Sequence, residues 1–279
     1  MPTAPAPSRR LDLSAAEWSV LAAAAPGELP PGVRPPDVAE DERLAAAERL
    51  AGRGVGRPGP AGGGFQPVRS LLANLALLST PTVSLQLDVA GTGGGRRAWF
   101  GVHGELGAAL LSAAEGGVEL SLFPAVRLGA ELVRAVPEAA LVGGASGGIG
   151  TALAGPTPLP SGRLPLAAIE DIDALRRLAD PGQLAAAVAE HGLDATELEL
   201  AGQLSRRATG TLSCRVLGRL DGDVAVGQVV WVATDAGWTS LTPDPDGTGR
   251  RMVSVRPVDR TDIGTAVAPF VAPLLAARR

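Results

Sequence analysis

A serine in a glycine-rich stretch has the surroundings most similar to a catalytic motif. Ser146 stands in the pattern G-x-S-x-G, which in serine hydrolases places the nucleophile on a tight turn between a strand and a helix. Such an enzyme also needs an acid and then a histidine later in the chain. His191 is the only histidine after Ser146, and the acids between them include Asp171, Asp173 and Asp180. The motif therefore keeps open the hypothesis of a serine hydrolase.

Two features of the surrounding sequence argue against this chemistry. The turn requires a parallel sheet, whereas almost all the strands predicted below are antiparallel. His191 ends a short predicted helix directly before Gly192, a position where the helix dipole favours a histidine cation. A structural role for His191 is therefore the preferred interpretation.

The same stretch, residues 141–150, also resembles the turn with which short-chain dehydrogenases bind a dinucleotide. That turn follows a strand, but here a helix is predicted before it, and Pro156, Pro158 and Pro160 would interrupt the helix that should follow. The chain also has no Tyr and no Lys, the residues which that family uses in catalysis. We predict a Gly/Pro-rich linker at 143–163, no cofactor and no enzymatic activity, with a nucleotide-dependent reductase as a second form of the enzyme alternative.

Composition argues against several further classes. A net charge of −4 without a clustered basic face argues against nucleic-acid binding. Cys214 is the single cysteine and the two histidines, His103 and His191, lie far apart, so no metal site is predicted. No apolar run approaches the roughly 18–20 residues of a membrane span, and the first ten residues lack a hydrophobic signal core. A cytoplasmic location is expected.

Capping patterns and helical periodicity predict the helices. Three pairs have the spacing of a capping box: Ser14 with Glu17, Asp37 with Glu40, and Asp194 with Glu197. Apolar residues at 68, 71, 72, 75 and 78 form a stripe that indicates a third helix, with Pro67 in its first turn. Further helices are predicted at 124–136, at 165–178, at 181–190 and at the end of the chain.

A change of period from about 3.6 to 2 indicates strands. Strands are predicted at 83–89, 97–103, 106–112 and 118–123, and again at 208–220, 224–233, 238–242 and 250–258. Glycine-containing turns such as 221–223 separate these runs, which is typical of antiparallel hairpins.

The order of helices, four strands and a helix thus occurs twice. We predict an α+β fold with a disordered arm at 1–10, an N-terminal half at 11–142, the linker at 143–163 and a C-terminal half at 164–279. Each half has a sheet with one wet face, so the sheets are expected to join about a pseudo-twofold axis into a single compact domain. Two independent domains on a linker are the alternative.

Motifs near both ends of the chain resemble the EspG family of type VII secretion-associated proteins. The C-terminal half has an R-R-x-x-G strand start, a T-D-A-G turn, a V-x-V-x-P strand and an acid before the last helix, and the N-terminal half has L-x-x-x-E-W-x-x-L. The residues concerned are Arg206, Arg207, Gly210, Thr234, Asp235, Ala236, Gly237, Val253, Val255, Pro257 and Asp259, and Leu13, Glu17, Trp18 and Leu21.

The resemblance implies a mixed fold with an antiparallel central β-sheet and two helical bundles in a quasi-twofold arrangement. It also implies a cytosolic chaperone that binds PE-PPE heterodimers at the tip of the PPE helical bundle and prevents self-association of that tip. Another small helical type VII secretion substrate is the alternative partner. We expect contacts from the exposed side of the second-half strands and from the loop 91–97, with these residues: Gly93, Arg96, Arg97, Arg215, Arg219, Gln228, Trp231 and Trp238.

Overall fold

One ten-stranded antiparallel sheet runs through both halves of the chain in the computed structural model, which describes residues 9–59, 64–113, 116–144, 157–171, 186, 189–245 and 251–277. Its order is β1-β7-β6-β5-β4-β9-β10-β11-β12-β8, and β2 and β3 form a separate pair. The strands are β1 Arg9–Leu13, β2 Gly56–Pro58, β3 Phe65–Pro67, β4 Val83–Gly91, β5 Arg96–His103, β6 Leu106–Ser112, β7 Val118–Pro124, β8 Gly162–Pro165, β9 Ala208–Leu220, β10 Asp223–Thr234, β11 Gly237–Pro245 and β12 Arg251–Val258.

The two halves join at the first long strand of each. β4 pairs with β9 over nine residue pairs, from Val83 with Gly218 to Gly91 with Gly210. On either side of this junction a four-strand meander ends in an added edge strand, β1 in the first half and β8 in the second. The strands therefore form one sheet with a quasi-twofold arrangement.

The helices differ from their predicted bounds mainly at the start. They are α1 Ala15–Ala23, α2 Glu40–Gly52, α3 Arg69–Ser79, α4 Leu128–Ala135, α5 Ala139–Val142, α6 Ala195–Arg207 and α7 Ile263–Ala276, with 3-10 turns at Pro31–Val33, Ala125–Arg127 and Arg260–Asp262. The capping boxes of Ser14 and Asp194 are confirmed. That of Asp37 is wrong, because α2 begins three residues later and Ala39 precedes it without a side-chain cap.

Three segments predicted as irregular or helical are short strands. Arg9 and Arg10, assigned to the disordered arm, pair with β7. Residues 162 and 163, assigned to the linker, begin β8 and pair with β12. Pro67, predicted in the first turn of α3, instead ends β3. Residues 145–156 of the linker, and most of the helices predicted at 165–178 and 181–190, lie outside the described residues.

The sheet has two unlike faces. On the first, which we call the closed face, α4, α5 and α7 pack over a core that includes Leu87, Cys214 and Trp231. On the other, the open face, α1 to α3 cover the β5–β7 end over Trp99 and other apolar residues. At the opposite end α6 packs on the same face over two smaller clusters. Within the described part of the chain, no α-helix lies over the middle of the open face, and the 3-10 turn Pro31–Val33 reaches its edge, where a Cβ on Gly32 would lie 3.7 Å from Gln86 Nε2 and 3.8 Å from Arg97 Cδ.

Two glycines mark where the halves meet on the closed face. Gly129 and Gly264 are each the second residue of a helix that follows a meander and a 3-10 turn, in α4 and α7. A Cβ on Gly264 would lie 3.1 Å from Gly129 Cα, whereas a Cβ on Gly129 would lie 3.8 Å from Gly264 Cα. The two helices thus cross at equivalent positions with almost no space between their backbones.

Alanine at these two glycines is expected to have unequal effects. Gly129→Ala should stabilise the fold by up to about 1 kcal/mol, because alanine has the higher helix propensity and its Cβ fits. Gly264→Ala should lose most of that gain, since the new Cβ presses on the facing helix. Urea unfolding of both variants measures the difference, and equal stabilisation would contradict the close crossing.

Candidate partner-binding surface

The middle of the open face, over which no described α-helix lies, is formed by alternate residues of three neighbouring strands. Side chains of β4, β9 and β10 that point to the closed face are mostly buried. Those that point to the open face are exposed or half-buried over most of their length, and Val232, beneath α6, is buried. A row of pairs, Gln86 with Arg215 and Arg215 with Gln228, crosses the three strands. We call this surface the open strip and define it by Ser84, Gln86, Asp88, Thr211, Ser213, Arg215, Gln228 and Val230.

A carboxylate holds two arginines at the middle of the open strip. Arg97 Nε donates to Asp88 Oδ1 at 2.7 Å, and Arg215 Nη2 donates to Asp88 Oδ2 at 3.3 Å. Gln86 Nε2 also donates to Oδ2, at 2.8 Å. The arginine side chains remain 58% and 50% exposed. Solvent screens ion pairs at this exposure, so the cluster orders the guanidinium groups more than it stabilises the fold.

A largely apolar cavity lies at one end of the open strip. Its volume is 440 Å³, and it lies between α6 and strands β9 to β11. Leu204 of α6 and Val232 of β10 belong to the buried cluster beneath it, while Thr211 and Val230 connect its wall to the open strip. The open face therefore combines a charged middle with an apolar recess.

Four of the residues predicted for binding lie on the open face. Arg215 and Gln228 belong to the open strip, Arg97 reaches Asp88 from β5, and Arg219 is exposed four residues beyond Arg215 on the same side of β9. Their role in binding stays a prediction.

Arg96 and Gly93 do not join the open strip. Because successive strand side chains alternate, Arg96 lies on the other side from Arg97, opposite Val89 in the register. Gly93 donates its N–H to the Val142 carbonyl at 2.9 Å, which holds the 91–95 loop against α5. Both residues are exposed, but they border the closed face.

The expected position of two tryptophans on the exposed side is wrong. Trp231 is 1% exposed and Trp238 is 4% exposed, and both belong to the core of the closed face. Their ring centroids are 6.2 Å apart, and Trp238 Nε1 donates to the Pro137 carbonyl at 3.0 Å. A buried tryptophan removes a large apolar area from water, which favours the core over the exposed side of the sheet for both side chains.

The candidate hydrolase residues are only partly described. His191 Nε2 lies 2.7 Å from Asp171 Oδ2, and the acid precedes the histidine in the chain, as in the hydrolase motif. Ser146, Asp173 and Asp180 lie outside the described residues. The element before the glycine-rich stretch is the short helix α5 and not a strand. The His191–Asp171 contact joins the end of a helix to the 166–171 helix, which is consistent with the structural role.

Two features of the candidate surface were missed in the sequence. Asp88 stands on the wet side of a clear alternation, yet only the β4–β9 pairing brings it to Arg215, 127 residues away. The cavity depends on how α6 packs on β9 to β11, and no local sequence pattern encodes the distance between this helix and the sheet. The polar alternation of Thr211, Ser213 and Arg215 was the available signal for an uncovered strand.

The single cysteine lies directly beneath the open strip. Burial, together with the nearby Asp88 carboxylate, raises the pKa of the Cys214 thiol to about 12. Because the thiolate is the reactive form, on the order of one molecule in 10⁴ is reactive at pH 8, even without the steric barrier. Among the described residues, no group of three metal-binding side chains is present.

Cys214 should therefore resist thiol reagents in the folded protein. We expect no labelling by a maleimide at pH 8 and full labelling in 6 M guanidinium, measured by intact mass. Since the folded pKa exceeds the unfolded one, the free energy of unfolding should also fall as pH rises above about 8.5. Rapid labelling of the native protein would contradict the burial.

The described helices include none that is both long enough and apolar enough to cross a membrane. The apolar sides of the open-face helices, α1 to α3 and α6, pack against the sheet or against one another.

Comparison with known proteins identifies the family. The profile of the EspG family matches residues 14–268. The solved structure of EspG5, a type VII secretion system chaperone from Mycobacterium tuberculosis in complex with the PE25-PPE41 dimer, superposes with a TM-score of 0.59 at 11% identity, over 97% of this chain and 96% of that chain. At this identity the likeness shows the fold alone.

The remaining comparisons add nothing to this. HtdX of Mycobacterium tuberculosis is 12% identical, over 90% of this chain and 100% of that chain, and its TM-score of 0.15 supports no conclusion. No curated protein sequence matches the chain. The predicted α+β fold class and the family resemblance are confirmed, and the chain belongs to the EspG family.

Proposed function

We propose that this chain is a cytosolic chaperone of type VII secretion which binds helical substrates of the PE-PPE type at the open strip. The observation that carries the proposal is a strip of central strands, between two helical layers, that none of the described α-helices covers, in a member of the EspG family. EspG5, which has a similar fold, was solved in complex with the PE25-PPE41 dimer.

The dimensions of the open strip suit the end of a helical hairpin. Three adjacent strands span about 10 Å between the outer two, since neighbouring strands lie 4.7–4.9 Å apart. Packed helices have their axes about 8–10 Å apart, so the tip of two helices matches this width. Covering such a tip would keep its apolar groups from self-association before export.

Co-expression tests the proposal. The chain is produced together with PE-PPE-type heterodimers from the same genome, and the mixture is separated by size exclusion. We expect co-elution of one chain with one heterodimer, and aggregation of the heterodimer when it is produced alone. Failure of every such heterodimer, and of other small helical secretion substrates, to co-elute would contradict the proposal.

A serine hydrolase remains the second candidate because His191 and Asp171 are in hydrogen-bond contact. A screen with generic esters on the wild-type chain and on Ser146→Ala separates the two functions. We expect no activity that depends on Ser146. An esterase activity abolished by Ser146→Ala would favour the enzyme over the chaperone.

A further inference from the structure

We propose that the client presents two groups to the open face: a carboxylate that binds Arg97 and Arg215, and an apolar side chain that enters the cavity beside α6. This inference rests on the proposed function and specifies the chemistry of its partner.

The charge of the open face favours an acidic partner. The described part of the open side of β4, β5 and β9 carries three arginines, Arg97, Arg215 and Arg219, and a single carboxylate, Asp88, although the whole chain has a net charge of −4. Each guanidinium has five N–H donors, and the Asp88 contacts use only part of them. A carboxylate from the partner could therefore be bound by both groups without displacing Asp88, in the forked geometry that arginine favours.

The positions of these arginines are already set before a partner arrives. Asp88 accepts from Arg97 on β5 and from Arg215 on β9, so the guanidinium groups are held from strands on both sides of β4. Fewer rotamers must then be lost on binding, which lowers the entropic cost of the contact.

The cavity favours an apolar group at a second point. Its 440 Å³ lie within the range of about 300–1,000 Å³ that is typical of ligand pockets. Leu204, Val232 and Leu241 contribute to its wall, and Glu170 is its only charged lining residue among those described. Because most of the lining is apolar, an apolar client side chain fits the cavity better than a cation that would pair with Glu170.

The distance between the two points fits one helical hairpin. Thr211, at the cavity, and Arg215 lie on the same side of β9 and four residues apart, a separation of about 13 Å. Helix axes about 8–10 Å apart, with side chains extending outward, can reach both points at once.

Helix polarity then orients the client. The C-terminal end of a helix carries partial negative charge, so it is favoured over Arg97 and Arg215. In a hairpin that ends at the sheet, the first helix has its C-terminus at the tip. We therefore place the first helix and its acidic residue over the arginines, and the following segment with its apolar residue at the cavity.

Binding of the co-eluting PE-PPE-type heterodimer to variants of the full chain tests this inference. Arg215→Glu is expected to weaken binding by about tenfold or more, because it places a second carboxylate beside Asp88. Arg43→Glu is the matched control: Arg43 is 47% exposed and paired with Glu40, but it lies on α2, and its variant should bind as the wild type does. Raising the salt concentration should weaken wild-type binding more than that of Arg215→Glu.

The cavity is tested separately. Thr211→Trp should fill its mouth and weaken binding by about tenfold or more. Leu44→Trp is the matched control: Leu44 is 60% exposed on α2, away from the open strip, and its variant should leave affinity unchanged. A client variant with its tip carboxylate replaced by arginine should restore affinity to Arg215→Glu.

The outcomes distinguish the two proposals. Wild-type affinity in Arg215→Glu or in Thr211→Trp, with the chain still co-eluting with its client, would overturn the two-point inference and leave the chaperone function standing. Failure of the wild-type chain to co-elute with any client would overturn both. Urea unfolding of each variant confirms that it is folded.

Discussion

Replacing Trp231 by alanine is expected to lower the free energy of unfolding by about 3–5 kcal/mol. The side chain is 1% exposed, lies opposite Leu212 in the β9–β10 register and packs against Trp238. Removing it leaves a cavity beneath the centre of the sheet, where rigid strands cannot collapse to fill the space. Equilibrium unfolding in urea measures the loss.

Trp231→Phe is the matched control, since it keeps an aromatic ring at the same position. Its effect on stability should be clearly smaller, and its affinity for the client should equal that of the wild type. A Trp231→Ala variant of unchanged stability that had lost client binding would show that Trp231 belongs to the binding surface and not to the core.

Gly101→Val is expected to destabilise the fold by about 1–3 kcal/mol or more through overpacking. A Cβ at Gly101 would lie 2.2 Å from the Leu77 carbonyl oxygen and 3.2 Å from Pro81 Cβ. Backbone at that distance cannot rotate away as a side chain could, so α3 must move off β5. The loss in urea unfolding would be the signature of this contact.

Ala90→Val supplies the control for this prediction. Ala90 is an exposed residue of β4, and the same side chain there should change stability by less than about 0.5 kcal/mol. If Gly101→Val were equally mild, α3 would not lie on β5, and the helical layer that bounds one side of the open strip would be placed wrongly.

The sequence predicts the long elements because their patterns are local. Eight strands were found from alternation and turn residues, and two helix starts from capping boxes. β1 and β8 were missed because each is only five or four residues long, too short for alternation to stand out, and each is ordered by pairing with a distant strand. α5 was missed for the same reason, having four residues.

Strand geometry explains which site residues were placed correctly. Gln228 and Trp231 are three residues apart on β10, so their side chains must point to opposite faces. The same rule separates Arg96 from Arg97. The parity of 228 and 231 alone was enough to show that Trp231 cannot share the exposed side with Gln228. Arg96 was predicted in the loop before β5, so its position became clear only from its pairing with Val89, and its role in binding stays a prediction.

Long-range features of the surface could not be predicted in this way. The Asp88 cluster needs the register between β4 and β9, and the cavity needs the packing of α6 on a sheet formed elsewhere in the chain. Registers of this kind depend on side chains from both halves, which the pattern of one strand does not contain.

Site-specific labelling tests most directly whether the open strip is the client-binding surface. Because Cys214 is buried, a single introduced cysteine reports on its own position: Gln228→Cys on the open strip and Arg43→Cys on α2 as the control. We predict that the co-eluting heterodimer slows maleimide labelling of Gln228→Cys by about tenfold or more, since a bound interface excludes solvent, and leaves Arg43→Cys unchanged. Equal labelling of Gln228→Cys with and without the heterodimer in a complex that demonstrably forms would contradict the assignment of the open strip.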